Sequence, residues 1–333
     1  MSVTIKDVAE KAKVSYPSVS RALSGKPGVS NKTRDKVLKI AKEMNYQPNA
    51  LARSLVQNRT STIGLIIPDI LNPYFPEIAK GVDDEAHKRD LNMFLCNSDW
   101  DGVREGEYID QLIANRVDGI IIFPTSSANI SEIRRKAGKD LPIIILGTSQ
   151  AEDVSVSISI DNILGAELST GHLLNKKYSK LAFIGGKPGL SGVEDRLDGF
   201  KKAHDNLGLH VQNELIVESG FTFESGFIAM NNLLDNKLIP DAVFAENDVI
   251  ALGAIQALRT RGLRVPEDMA VCGFDDIPMA SMAGIDLTTV RQPKYEMGKM
   301  AVSELYSILQ GESDLNVNKR LVLEPKLIVR KTS

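Results

Sequence analysis

From residue 62 onward the chain alternates short, nearly unbroken runs of Val, Ile and Leu with longer stretches of helical spacing, and this alternation limits the fold more than any other feature. The apolar runs fall at 63–69, 92–97, 119–123, 141–146, 181–185, 242–245 and 269–274. Amphipathic spacing predicts helices near 76–90, 102–115, 164–175, 193–206, 224–236, 248–261 and 294–310. A strand that is apolar on both faces needs cover on both, and a helix between successive strands makes them parallel. The runs are too many for one compact sheet, and the series divides near residue 161. The expected body is therefore two doubly wound parallel-sheet α/β lobes. Such sheets bind ligands beyond the carboxyl ends of their strands, so facing lobes would bury a ligand between them. Asp69, Asn97, Asp99, Asp161, Asn247, Asp248, Asp275 and Asp276 gather at those ends. Taken singly each reads as a helix cap or turn former, but the repetition over several strands points to binding.

The first 60 residues are different. They carry 12 Lys and Arg against 4 Asp and Glu, a net of +8, while the whole chain has a net charge of −3. A basic head on an acidic body is the footprint of a chain that grips nucleic acid at one end. The head is not a solvated tail, because its apolar residues are periodic. Ile5, Val8, Ala9 and Ala12 mark one helical face, with Thr4 as N-cap and Asp7 as its capping-box partner. Ser15 caps a second helix with Pro17 in its first turn, where a missing N–H matters little, and Val19, Ala22 and Leu23 point inward. Ser30 caps a third, striped by Val37, Ile40, Ala41 and Met44, and Asn45 ends it. Two short helices joined by a tight turn make a helix-turn-helix, whose second helix enters the major groove. Tyr16, Pro17, Ser18 and Arg21 would face base edges, and Arg21 can fork onto guanine. Ser15, Ser20, Asn31, Lys32 and Thr33 would hold phosphates; Thr4, Asn49 and Ala52 are placed in the same DNA-contacting set. The segment Pro48-Asn49-Ala50-Leu51-Ala52-Arg53-Ser54-Leu55 is about two turns of helix, too short to be stable alone. It is expected to order only against a partner, with Leu51 and Leu55 on one face, suited to a dimer mate and to wedging into a minor groove.

These segments together carry a specific resemblance. VTIKDVAEKAKVSYPSVSRAL, VSNKTRDKVLKIAKEMNYQPNALARSL, TIGLIIPDILNPYF, FDDIPMA, LTTVRQP and LIVRKTS make the chain similar to the LacI/GalR family of bacterial repressors over essentially its whole length. The resemblance implies a three-helix head over 1–46, a hinge helix and linker over 47–60, and a periplasmic-binding-protein-like effector and dimerisation body over 61–333. Its first lobe would take 61–161 and 292–320, its second 162–291 and 321–333. By the same resemblance Tyr16, Pro17 and Arg21 read bases and Leu55 enters the operator centre. Pro17 departs from the small or polar residue usual there, so its contact would be apolar. Asn72, Tyr74 and Phe75 match the segment whose aromatics line the pocket. Arg196 matches an arginine that binds ligand hydroxyls or acidic groups, and Phe221 an aromatic wall. Asn247, Asp248 and Asp275 match polar ligand contacts, and Gln292 sits at a lobe crossover. Asp161, at another crossover, joins this set. Trp100, the only tryptophan, is either a further wall or ordinary packing. Gly147 stands where some sugar-responsive members have aspartate.

Other functions find little support. Cys96 and Cys272 are far apart in apolar runs and read as buried free thiols. His87, His172, His204 and His210 have no metal-ligand spacing. The glycines at 185–189 lack the phosphate-loop spacing. No nucleophile elbow or triad appears, so neither an enzyme nor any metal or cofactor is expected. No apolar run approaches the ~20 residues of a membrane span, the N-terminus lacks a secretion signal, and no heptad tail follows the last strand. The partners expected are a pseudo-palindromic double-stranded DNA, a small effector, foremost a carbohydrate, and a second copy of the chain, in the cytoplasm. A purine or nucleoside stacked on Phe75, Phe221 and Trp100 remains an alternative. A phosphoprotein partner on the 294–310 helix is disfavoured by Ser303 and Glu304, and a transport-type binding protein by the basic head.

Overall fold

Three amphipathic helices build the head. α1 (Ile5–Ala12), α2 (Tyr16–Leu23) and α3 (Asn31–Glu43) bury Val8, Ala9, Ala12, Val19, Ala22, Val37 and Ala41 against one another. Their starts are set locally. Thr4 and Asp7 form a full capping box on α1, Ser15 accepts from the Ser18 N–H of α2, and Ser30 accepts from the Thr33 N–H of α3. The tight turn after α1 passes through Lys13 in the left-handed region, φ 52°. The structure, a computed structural model, describes residues 3–23, 25, 27–46, 59–126, 129–147, 154–186, 189, 191–236, 239–315 and 318–333. The expected hinge helix, with Asn49, Ala52 and Leu55, lies outside the described residues. Residues 1–60 and 61–333 form separate compact units.

The body contains two parallel-sheet α/β lobes. In the first, β1 (Thr62–Ile67), β2 (Asn92–Asn97), β3 (Gly119–Ile122), β4 (Ile143–Leu146), β5 (Val156–Ile160) and β11 (Lys319–Leu323) lie in the order β11-β5-β4-β3-β1-β2, all parallel. In the second, β6 (Leu181–Gly185), β7 (Ile216–Glu218), β8 (Ala242–Ala245), β9 (Ala270–Asp275), β10 (Thr288–Arg291) and β12 (Lys326–Ile328) lie in the order β12-β10-β9-β8-β6-β7, with only β12 antiparallel. The central strands are buried on both faces, as their unbroken apolar runs require. Helices α4 (Tyr74–Lys88) and α11 (Lys294–Gln310) pack together beside the first sheet, and α5 (Gly102–Ala114) packs against the helix that follows β3. α7 (Asn162–Asn175) pairs with α8 (Ser191–Asp205), and α9 (Phe223–Asp235) with α10 (Asp248–Thr260), about the second. One apolar cluster runs from Ile63 and Phe75 of the first lobe to Phe200 and Phe274 of the second.

The chain crosses between lobes three times. The first two crossings fall after β5 and after β10, near the expected 161 and 291. The third is displaced. β11 goes on pairing with β5 through Leu323, so residues 321–323 belong to the first lobe, and the crossing falls at Glu324–Pro325 instead of 320. The apolar runs also missed β5, β7, β10, β11 and β12, and a helix, α6 (Ile130–Ala137). β5 reads Val-Ser-Ile-Ser-Ile, the alternation of a half-exposed strand, yet Ser157 and Ser159 are as buried as their neighbours.

Candidate ligand cleft and nucleic-acid interface

The carboxyl ends of both sheets open onto one cleft between the lobes, about 690 Å³ including its mouth. At the start of α4, the Asn72 side chain accepts from the Tyr74 N–H at 3.0 Å, which fixes the turn that aims Tyr74 and Phe75 inward. Phe75 meets Phe123 edge to face at 5.2 Å, and Tyr74 meets Phe123 at 6.1 Å. Trp100, after β2, stacks on Phe221, after β7, with ring centroids 4.6 Å apart and planes 16° from parallel. Rings from the two lobes thus touch face to face.

The polar side chains come mainly from the second lobe. Arg196, on α8, is nearly buried. Its Nε donates to Asn162 Oδ1 at 2.9 Å, its Nη1 donates to the Glu246 carbonyl at 2.8 Å, and its guanidinium lies 3.9 Å over the Phe274 ring. The Glu246 carboxylate, 3.8 Å from Nη1, accepts from the Gly186 N–H; burial raises its pKa against the pull of Arg196. Gln292 donates to Asp275 Oδ1 at 2.6 Å and accepts from the Tyr74 hydroxyl at 3.0 Å, so one relay joins the lobes. Burial pushes Asp275 up to about 6, while Arg196, Lys294 and the Gln292 bond pull the other way. Burial, with the Asp275 charge behind it, also raises the Tyr74 phenol. Asp275 has φ 116°, a region L-residues rarely adopt, and the buried Lys294 Nζ holds the strained turn through the carbonyls of Asp275, 2.5 Å, and Asp276, 3.0 Å. Lys294 also reaches Glu77 of the first lobe at 3.2 Å.

Of the residues singled out from the sequence, Asn72, Tyr74, Phe75, Trp100, Arg196, Phe221, Asn247, Asp275 and Gln292 line this cleft. Two do not. Asp161 is exposed and caps α7, accepting from the Leu164 N–H at 2.9 Å, and its neighbour Asn162 faces the cleft instead. Asp248 is fully buried behind the wall. It accepts from the Ile277 N–H at 2.8 Å and the Thr289 hydroxyl at 2.5 Å, and burial, with the Asp275 charge, holds its pKa well above the usual carboxylate range. Its place in the lining is taken by Glu246, two residues earlier. Strand parity carried that signal: Phe244 and Glu246 share one face of the chain, and Asn247 begins the helix turn as N-cap. Phe123 was also missed. Its ring lies against Gly147, where an added Cβ would come within 2.2 Å of it, and Gly147 has φ 83°. An aspartate there would meet both a ring and a strained backbone.

On the head, Tyr16, Pro17 and Arg21 are exposed along α2 while Val19 and Ala22 are buried, so the polar face of the second helix is turned outward. Tyr16 is 48% exposed. Ser18 and Ser20 are half-buried beside them, and Arg21 lies along Gly28. Asn31 and Lys32 stand exposed in the first turn of α3, next to half-buried Thr33. The hydroxyls of Thr4, Ser15 and Thr33 sit at helix starts, engaged with Asp7, Ser18 and Ser30. Backbone N–H groups at such starts favour anions.

A receptor cleft in one unit and an exposed recognition helix in the other define a DNA-binding regulator with a built-in sensor. Two family descriptions match in series: "Bacterial regulatory proteins, lacI family" over residues 4–49, and "Periplasmic binding proteins and sugar binding domain of LacI family" over 60–323. The chain belongs to the LacI family of bacterial transcription regulators. It is 36% identical to the HTH-type transcriptional regulator DegA of Bacillus subtilis over 99% of this chain and 98% of that one. It is 38% identical to the ribose operon repressor of Halalkalibacterium halodurans over 99% and 97%. Among solved structures, the Lac repressor dimer bound to operator and an anti-inducer superposes with a TM-score of 0.90 at 28% identity, covering 100% of this chain and 99% of that one.

Proposed function

We propose that the chain is a repressor whose affinity for a pseudo-palindromic operator is set by a neutral, hydroxyl-rich metabolite, a sugar, bound between its lobes. The observation that carries this reading is the composition of the cleft: a guanidinium, four amides and two carboxylates, from Arg196, Asn72, Asn162, Asn247, Gln292, Glu246 and Asp275, under an aromatic cover. Carboxylates and amides pair with hydroxyls, a guanidinium forks across two oxygens, and rings cover C–H faces. With Glu246 and Asp275 outnumbering Arg196, an anionic effector is disfavoured. The ribose repressor among the relatives accords with this choice. On the head, Tyr16 and Arg21 read bases, Pro17 and Ser18 make lesser contacts, and Ser15, Ser20, Asn31, Lys32 and Thr33 hold phosphates. No helix of the described residues is long and apolar enough to cross a membrane, and we place the protein in the cytoplasm, as a binding protein and not an enzyme.

The working form is a homodimer, one recognition helix per half-site. β2 is an edge strand that exposes Phe94 and Leu95, and the same lobe leaves Leu71 86% and Val103 74% exposed. Such a surface suits a second copy. The test is a selection of genomic fragments by the purified protein, followed by titration of the winning duplex with and without D-ribose and other sugars. A preferred fragment whose affinity shifts with one sugar supports the reading; no preference over random duplex refutes it.

A further inference from the structure

Trp100 and Phe221 each have a seat in their own lobe. Phe221 lies against Gly186 so closely that an added Cβ there would come within 2.3 Å of its ring. Trp100 follows Asp99 with both residues at positive φ, 58° and 54°, and rests edge-on against Phe75 at 6.2 Å. From these seats the two rings meet face to face at 4.6 Å, one from each lobe. A planar base held between them would need roughly 7 Å, two contact distances, so the pair would have to part. The hydrogen-bonding groups are instead contributed by other side chains of the lining: Arg196, Asn162, Asn247 and Asp275.

We propose that Trp100 and Phe221 form an aromatic latch that closes over a polyol in the cleft and excludes a base intercalated between the rings. This inference rests on the sugar-effector reading. Phe221 then acts as cover, and its free face is already taken by Trp100.

Because Trp100 is the only tryptophan, its emission reports the latch in the full chain. Without ligand, Phe221→Leu should raise acrylamide quenching of Trp100 at least about twofold, and Phe221→Tyr, which keeps the ring, should restore the wild-type value. Quenching unchanged in Phe221→Leu would overturn the latch. In the second arm the wild type is titrated with D-ribose, D-glucose, cellobiose and adenine, followed by quenching and by calorimetry. A sugar that binds and lowers quenching is the expected result. Binding of adenine with increased exposure of Trp100, or silence from all four, would overturn the assigned occupant. Failure to select any DNA fragment would instead sink the regulator reading, a separate outcome that neither arm reads.

Discussion

The two lobes share a strand order, differing in the direction of one edge strand, but face the cleft with different chemistry. The first offers Tyr74, Phe75, Trp100, Phe123, Leu146 and Ile160, with Asn72 and Gln292 as its amides; the second offers Asn162, Arg196, Glu246, Asn247 and Asp275, with Phe221 its only ring among the described residues. The strands that build the sheets are interchangeable in kind, and the residues just past their carboxyl ends are what differ. The second lobe's polar groups are already hydrogen-bonded, Arg196 to Asn162 and Glu246, Asn247 to the Ile250 N–H and Asp275 to Gln292, so folding has oriented them before any ligand arrives. That preorganisation assigns orientation and most of the affinity to the second lobe, and cover to the first.

Removing Arg196 should break this asymmetry most sharply. Arg196→Met deletes the donors to Asn162 and Glu246 and strands a buried carboxylate, and effector affinity should fall by roughly 100-fold or more, about 3 kcal/mol. Calorimetry would show it, and a loss below tenfold would mean the polar lobe is not dominant. Asp275 comes next, through pH. Its folded pKa, raised to about 6, lies above the unfolded value, so its contribution to stability is fully present at low pH and lost as pH rises through 6. Its value as an acceptor runs the other way: effector affinity should rise through pH 6 and level off above. Asp275→Asn should flatten both profiles between pH 5 and 7; wild-type curves already flat there would contradict the assignment. In the first lobe, Phe123→Leu should weaken the effector only about 5–10-fold, the worth of one ring contact. Smallest is Asp161→Ala, which removes a cap: thermal unfolding should report a loss of about 1 kcal/mol, with effector affinity unchanged within about twofold.

The head was legible in the sequence because its determinants are local. Thr4 and Asp7, or Ser30 and Thr33, are three residues apart, and a helix brings such neighbours together whatever the rest of the chain does. The cleft is assembled from residues as distant as Asn72 and Gln292, and there the parallel-sheet pattern placed strand ends but not side chains. Asp161 and Asn162 differ by one position, and helix geometry, not residue type, decides that the first caps and the second faces the ligand space. Asp248 was drawn in by its charge, while Glu246 owes its position to strand parity. Phe123 sits at the end of an apolar run and looks like core; only Gly147, far along the chain, reveals that its ring faces the cleft. β11 was hidden because Lys319 and Arg320 open it, which reads as a charged loop.

The claim on which all of this depends is that occupancy of the cleft changes grip on DNA. Its most direct test is the affinity of the full chain for its selected duplex, measured by fluorescence anisotropy with the cleft empty and saturated, in wild type and Arg196→Met. The account predicts a change of roughly 5–150-fold in wild type, the usual range of allosteric coupling, and no change in the variant at the same ligand concentration. Equal operator affinities for empty and saturated wild-type protein would contradict it.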